Sequence, residues 1–491
     1  MCTYDVEFIP SGRTQVPPGN GAKPSSAALR EAFRGCADFE YRRLRAGAPG
    51  AGVFVCWLDG LISGADAAES VLRPLCDPRR CAASDENVLI SAILSGGVYC
   101  PSAAERQDLG ELCDDLTHGR CVLVFDGVRR ALSFDVRSSA VRAVGEPTLE
   151  KSLKGGKDTF VETLRMNTAL LRRHAATPRL KITESTLGRS SRTRIALLFV
   201  DGAADPGFVR ELAARLDAAD IDSAVSLGTL EDVLADRPRS PFPQLLHTER
   251  PDRLARYLLD GRVGLLVDGL PIALVLPVTF ADFMKVTGDG SMNYLVAGTL
   301  TVLRYAALVL GMYLPALYAA VASFHQEMIP TRLLLSIIEA KKDVPFSTSA
   351  EMLGMLFAFA LLQEAGLRLP NPVGDTVSII GALIVGQSAV EARVVSPIAI
   401  IVVAVSGIAC YTMPSQDMGS AVRLCRTLLL LAGIFAGLYG VGLASCLIVT
   451  HLSSIESFGV NYCAPLGGGR GGGLLRMLPR PPLGPKEGRE G

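Results

Sequence analysis

From Thr376 to Gln416 the chain runs 41 residues with two charged side chains, Glu391 and Arg393. That run is too long and too apolar for an ordinary core helix. It is also too long for one bilayer crossing, which takes about 20 residues. The charges sit between two apolar stretches, and Pro397 follows closely. The pattern reads as membrane segment, polar break, membrane segment. Charges so placed either lie at the membrane surface or mark a polar path through it.

The rest of the chain is distributed to match. Residues 1–300 carry most of the charge, and residues 305–450 carry most of the long apolar runs. A length of 491 residues implies roughly three domains. The formal net charge is zero, so nothing draws the chain as a whole to nucleic acid. One tryptophan excludes a Trp belt at the membrane interface. Met1–Gly21 is polar and rich in Gly and Pro, without the basic and apolar regions of a cleavable signal. The soluble part is therefore expected in the cytoplasm. The 12 cysteines form no C-x-x-C pair. Cys76/Cys81 and Cys113/Cys121 lack a His or Cys partner at metal-site spacing. Free reduced thiols are expected, and no metal.

The polar half repeats itself. Val53-Phe-Val-Cys-Trp-Leu-Asp-Gly60 matches Ile195-Ala-Leu-Leu-Phe-Val-Asp-Gly202, and Gly119–Gly127 matches Gly261–Gly269. Asp59 and Asp201 lie 142 residues apart, and so do Asp126 and Asp268. One shared offset points to an internal duplication of domain size. In each copy an apolar strand ends in Asp-Gly, helical material follows, and a second strand turns at Asp-Gly into a third, Ala131–Val136 or Ile272–Leu276. Asp-Gly between apolar runs is a strong hairpin signal, because Gly takes positive φ without strain. A helix is expected from Pro251-Asp252 to Gly261. Thr159-Phe-Val-Glu162 has the pattern of a capping box, opening a connecting helix through Leu171-Arg172-Arg173 with its basic end at the C-terminal dipole.

Catalytic signatures are missing. Lys154-Gly-Gly-Lys-Asp-Thr159 lacks the leading glycine of a phosphate loop. His325-Gln-Glu327 lacks the second His of a zinc protease. Asp59, Asp126, Asp201 and Asp268 read as turn residues ahead of glycine rather than paired acids. The chain is read as a non-enzyme without a cofactor.

Five apolar segments stand out in the second half: Tyr305–Phe324, Met352–Gln363, Thr376–Val390, Val394–Met413 and Thr427–Thr450. The second and third are short for a crossing of about 30 Å. Arg423 and Arg426, read as a loop between the last two spans, favour the cytoplasmic side there. With the soluble part also inside, this count leaves the tail outside, whereas Arg470, Arg476, Arg480, Lys486 and Arg489 favour the inside. Charge alone leaves that conflict open. Short segments beside Pro370, Pro372, Gly374, Gly381 and Gly386 suit broken or re-entrant helices. Glu364, Asp375, Glu391 and Arg393 cluster at their ends, either as interfacial flanks or as lining of a hydrated pore or vestibule.

Several motifs occur in a familiar order. Phe242-Pro-Gln-Leu-Leu-His-Thr-Glu-Arg-Pro-Asp252 resembles the Thr-Glu-Arg-Pro-Asp signature of bacterial spore germination receptor A subunits, the GerA family. The signature positions are Thr248, Glu249, Arg250, Pro251 and Asp252. Leu314-Pro-Ala-Leu-Tyr318, with Pro315 and Tyr318, fits the family too. So do the stretch around Pro330, Val377–Gly386, Ala389–Ala392, and Ser457-Phe458-Gly459-Val460. Asn461, Val161 and Arg332 depart from its usual residues. The resemblance implies a membrane subunit of a nutrient-responsive receptor in the spore inner membrane. It acts with a transporter-like B subunit and a lipoprotein C subunit, oligomerising into a ligand-gated cation channel that releases ions at the start of germination. Two alternatives stand beside it: a non-conducting scaffold that couples nutrient sensing to a separate channel, and a stage V sporulation AF-type paralogue. The missing inverted repeat counts against a secondary transporter.

The expected architecture is α/β plus α-helical membrane, with two tandem duplicated α/β cytoplasmic domains followed by a multi-span helical membrane domain. The expected boundaries are a disordered N-terminal segment 1–24, a first α/β domain 25–150, a connecting helix and linker 151–184, a second α/β domain 185–290, a transmembrane domain 291–466 and a Gly/Pro-rich basic tail 467–491.

Overall fold

A computed structural model describes residues 22–46, 51–77, 79–80, 85–100, 102–137, 147, 150, 155–224, 226–368 and 386–464. The chain divides into two compact units. One comprises Met1–Pro238 and Leu245–Pro277, the other Arg239–Gln244 and Val278–Gly491.

The first unit is built on two five-stranded antiparallel sheets. Strands β1 (Phe39–Ala46), β2 (Ala51–Leu58), β3 (Ala103–Arg106), β4 (Arg120–Phe125) and β5 (Arg130–Asp135) lie in the order β1-β2-β4-β5-β3. Strands β6 (Leu180–Leu187), β7 (Thr193–Val200), β8 (Leu246–Thr248), β9 (Val263–Val267) and β10 (Ala273–Leu276) lie in the corresponding order β6-β7-β9-β10-β8. The helices are α1 (Ser26–Ala32), α2 (Glu86–Ala92), α3 (Leu109–Thr117), α4 (Leu164–His174), α5 (Pro206–Ala218), α6 (Leu227–Leu234) and α7 (Pro251–Leu259), besides single-turn pieces.

The alternation of side chains along a strand explains the packing. On one face of the first sheet Val53, Val55, Leu123, Phe125, Leu132 and Phe134 pack with Val71, Leu75, Leu89 and Ile90. On the other face Cys56, Leu58, Val122 and Val124 meet Leu29 and Phe33 of the α1 end and Leu112 and Leu116 of α3. Both faces are covered, which is why β4 reads as an almost continuous apolar run. Burial pushes the Cys56, Cys113 and Cys121 thiols up to about 12, while Cys76 is exposed. At pH 8 a polar maleimide is expected to modify Cys76 and spare those three, because the thiolate is the nucleophile. Labelling of all four at one rate, read by mass spectrometry, would contradict this core.

Both Asp-Gly hairpins form, and their aspartates do more than turn. Asp126 accepts from the Ser26 amide at 2.7 Å and the Ser26 hydroxyl at 2.6 Å, at the start of α1. Asp268 accepts from the Leu164 amide at 2.9 Å, at the start of α4. Each carboxylate thus satisfies an orphan N–H of a helix far away in sequence. This corrects the capping-box reading. The N-cap of α4 is Thr163, whose side chain makes no cap bond, and the carboxylate comes from Asp268. Arg172 does more than place charge at the helix C-terminal dipole. It does not face solvent at the helix end but is fully buried, donating from Nε and Nη2 to Asp38 at 2.8 and 3.0 Å and from Nη1 to the Thr177 carbonyl at 3.1 Å.

The second unit is helical: α8 (Tyr294–Phe324), α9 (Thr331–Lys341), α10 (Thr348–Arg368), α11 (Pro397–Tyr411) and α12 (Gln416–Ser453). By length and composition α8 and α12 are long and apolar enough to cross a membrane, and α11 is a shorter apolar helix. The expected segment limits shift accordingly. The short Met352–Gln363 run lies inside a 21-residue helix. The 20-residue run Val394–Met413 holds a helix of only 15 residues, about 22 Å long. Thr376–Val390 lies mostly outside the described residues. Helix α8 begins before Arg304, which pairs with Asp289 at 2.6 and 2.8 Å.

Helix α12 requires the largest correction. It starts at Gln416, so Arg423 and Arg426 lie within a helix and not in a loop. It is also sharply bent. Ala436 and Gly437 leave helical geometry, with Gly437 at φ 59 and ψ −145. Positions 432 and 440 stand about 12 Å apart along a straight helix. Here a Cβ added at Gly440 would lie 2.1 Å from the Ala432 carbonyl oxygen. The two arms therefore fold toward each other.

After α12 the chain closes through a two-strand hairpin, β11 (Glu456–Ser457) and β12 (Val460–Asn461). Phe458 and Gly459 both take positive φ, 49 and 74, the geometry of a type I′ turn. Ser457 Oγ accepts from the Val278 amide at 3.3 Å, the Tyr462 carbonyl accepts from the Phe280 amide at 2.8 Å, and the Tyr462 hydroxyl donates to the Pro243 carbonyl at 2.9 Å. The last described segment thus packs on residues that precede α8.

Candidate functional site

The signature Thr248–Asp252 builds a polar knot at the edge of the second sheet. Thr248 ends β8, and Pro251 opens α7. The Thr248 hydroxyl donates to Glu150 at 2.8 Å, and Glu249 accepts from the Glu150 amide at 2.8 Å. Arg250, 1% exposed, forks onto Asp252 at 3.0 and 2.8 Å and reaches the Gly156 carbonyl at 3.0 Å. Arg253 completes the knot on Glu150 at 2.6 Å. Through these bonds the signature ties Glu150 and Gly156 to β8 and α7. The Asp252 carboxyl is half-buried, which opposes its charge, yet Arg250 holds it below the usual carboxylate range. The knot is saturated within the chain, as a structural anchor requires.

The other signature residues fall in the helical unit. Pro315 lies inside α8, Pro330 is the N-cap of α9, and Ser457-Phe458-Gly459 forms the closing hairpin. Of the polar candidates, Glu364 on α10 and Glu391 are exposed. Arg393 is exposed at φ 52 and pairs with Asp343 at 2.7 Å. Asp375 lies outside the described residues.

Two buried ionisable groups were missed by sequence reasoning. The first is Glu351, in the first turn of α10, with its side chain fully buried. Its Oε1 accepts from the Ser396 amide at the start of α11. Its Oε2 has no hydrogen-bond partner among the described residues, with Lys341 Nζ 3.6 Å away. The buried Tyr318 hydroxyl, on α8, lies near Glu351 and Ser396. The second is Arg426 on α12, 3% exposed. It donates from Nη1 to Ser406 Oγ at 3.3 Å, with Cys410 Sγ at 3.8 Å, while its Nε finds no partner among the described residues. Ser406 in turn donates to the Gly311 carbonyl of α8 at 2.7 Å. Ionisable groups buried between apolar helices are expensive and mark functional paths more often than surface flanks do. The available signal was weak: Glu351 follows Thr348-Ser349 like any helix-start acid, and Arg426 sits three residues after the half-buried Arg423. Among the described residues no group of three His, Cys, Asp or Glu is placed to hold a metal ion.

Comparison with known proteins finds matches over most of the chain. Residues 27–490 match the family model described as Bacillus/Clostridium GerA spore germination protein. The chain is 36% identical to Spore germination protein B1 of Bacillus subtilis (strain 168) over 414 residues, 84% of each chain. It is 34% identical to the uncharacterized membrane protein YfkQ of the same organism over 451 residues, 90% of this chain and 87% of the relative. Among solved structures it is similar to the N-terminal domain of the A subunit of the Bacillus megaterium spore germinant receptor GerK3. That match has 28% identity and a TM-score of 0.41, covering 52% of this chain and 93% of the other.

Proposed function

The chain belongs to the GerA family of spore germination proteins, and from that membership we propose that it is the A-type membrane subunit of a nutrient-responsive spore germination receptor. The observation that carries the reading is the family match over residues 27–490, which takes in both the sheet unit and the helical unit. Its partners are a transporter-like B subunit and a lipoprotein C subunit, and it works as an oligomer in the spore inner membrane. The two sheets arose by duplication. Their equal strand order and the matched helix-capping roles of Asp126 and Asp268 support this. The helical unit contributes to a cation path, a reading supported by Glu351 and Arg426 buried between apolar helices. The exposure of Glu391 and Arg393 favours the flank role for that pair. Spores lacking this chain are expected to lose early monovalent-cation release to at least one amino acid, sugar or nucleoside, with recovery on complementation. An unchanged response across such a panel would remove the reading.

The closing hairpin supports a reading of sidedness. Tyr462 and Ser457 bind residues 243 and 278–280, so the helical unit begins and ends on one side of the bilayer, with an even number of crossings between. The bend of α12 supplies the return that the charge count lacked. Cysteines placed at Met292 and Glu456 are expected to react with an impermeant maleimide from the same face of sealed vesicles. Reaction from opposite faces would contradict the closure.

A further inference from the structure

Four segments of the helical unit converge on the Glu351 carboxylate: α8 through Tyr318, α9 through Lys341, α10 itself, and the Ser396 N-cap of α11. Oε1 is satisfied by the Ser396 amide, and Oε2 faces an ammonium 3.6 Å away without a hydrogen bond. The ammonium itself donates to Thr348 Oγ1. Two side-chain oxygens therefore flank one small monovalent charge, Glu351 Oε2 and Thr348 Oγ1, with Tyr318 near the carboxylate. Thr348 and Glu351 are 8% and 3% exposed. We propose that this cluster is a monovalent-cation site of the helical unit and that the Lys341 ammonium is its built-in occupant.

The chemistry favours sodium or potassium over a divalent ion. One carboxylate with a neutral hydroxyl supplies one negative charge, and hard oxygen donors suit an alkali cation as they suit an ammonium. Lysine carries a compact point charge on a flexible stem, so its head can leave without the helix unfolding. Helix α9 is loosely held: of its residues only Ile337 is buried, and Leu333, Leu335 and Ile338 are exposed. Withdrawal of α9 would bare the carboxylate, and an incoming cation would take the place of Lys341. Leaving Glu351 buried and unpaired is the costly alternative. The inference rests on the helical unit being the membrane part of a receptor. Its test reads binding and not conductance, so the two can fail separately.

The full chain in detergent is unfolded by heat in potassium chloride, in sodium chloride, and in N-methylglucamine chloride at equal ionic strength. Labelling of the buried Cys410 and Cys425 reports unfolding. Lys341→Gln is expected to gain about 3 °C in potassium or sodium over N-methylglucamine, the size expected for a ligand near tenfold above its Kd. The wild type shows no such difference, and Lys341→Gln/Glu351→Gln loses it. Equal midpoints for Lys341→Gln in all three salts, or a gain that survives the Glu351 substitution, overturn the site. Should Lys341→Gln not fold, acetylation of the wild type decides. Lys341 is expected to react at least tenfold more slowly than the exposed Lys342, and Glu351→Gln to remove that protection. Equal rates in the wild type overturn the occupancy.

Discussion

Replacing Arg172 by Ala is expected to destabilise the sheet unit by about 3–5 kcal/mol, the cost of leaving one member of a buried ion pair without its partner. Arg172 is 0% and Asp38 1% exposed, and the guanidinium meets the carboxylate with two hydrogen bonds. Burial disfavours the Arg172 charge, yet Asp38 beside it holds its pKa above the ordinary value. The pair joins α4 to the segment before β1, next to the place where the Ala37 amide donates to the Ile182 carbonyl at 2.8 Å. One variant therefore loosens the connection between the two sheets. Trp57, the single tryptophan, lies on β2 and reports the unfolding by fluorescence. Two controls separate burial from charge. Asp38→Leu/Arg172→Met is expected to recover much of the loss, since no unpaired charge remains. Arg393→Ala removes an ion pair of similar length, 2.7 Å, whose members are 67% and 54% exposed, and is expected to cost less than about 1 kcal/mol. Equal effects of Arg172→Ala and Arg393→Ala would contradict the buried geometry.

The second large effect is expected at the α12 bend. Gly437 holds φ 59 and ψ −145, a region essentially closed to residues with a Cβ. An added Cβ there would lie 3.0 Å from His325 and 3.1 Å from Phe324. At Gly440 the obstacle is backbone, the Ala432 carbonyl oxygen at 2.1 Å, which cannot yield without opening the bend. Gly440→Ala is therefore expected to cost about 2–4 kcal/mol and to spread the two arms. Spin labels at the exposed Leu428 and Leu447 read the geometry. A straight helix would separate them by about 28 Å along its axis. The wild type is expected well below that separation, and Gly440→Ala closer to it. A wild-type distance matching the straight helix would contradict the bend and the return it provides.

What could be read from the sequence was local. The hairpins at Asp126-Gly127 and Asp268-Gly269 and the helix opening at Pro251 follow from turn and cap chemistry within a few residues. The apolar helices were visible as runs, and the signature motifs pointed to the family that the comparisons bear out. The sites carried by long-range contacts were not legible. Asp268 caps a helix more than 100 residues earlier, which no local pattern announces. Arg426 and Arg423 look alike in sequence, yet helical phase buries one and leaves the other half-buried. Glu351 gains its meaning from Lys341, Ser396 and Tyr318, three residues on three other segments. The bend at Gly437 sits in a run rich in glycine, where composition alone does not single out one position.

The most direct test of a cation-releasing receptor subunit is monovalent-cation efflux from proteoliposomes that hold this chain with its B-type and C-type partners. The account predicts efflux when the activating nutrient is added, and loss of that efflux when this chain alone is omitted. Efflux that is unchanged without the chain, or absent with the complete set and nutrient, would contradict it.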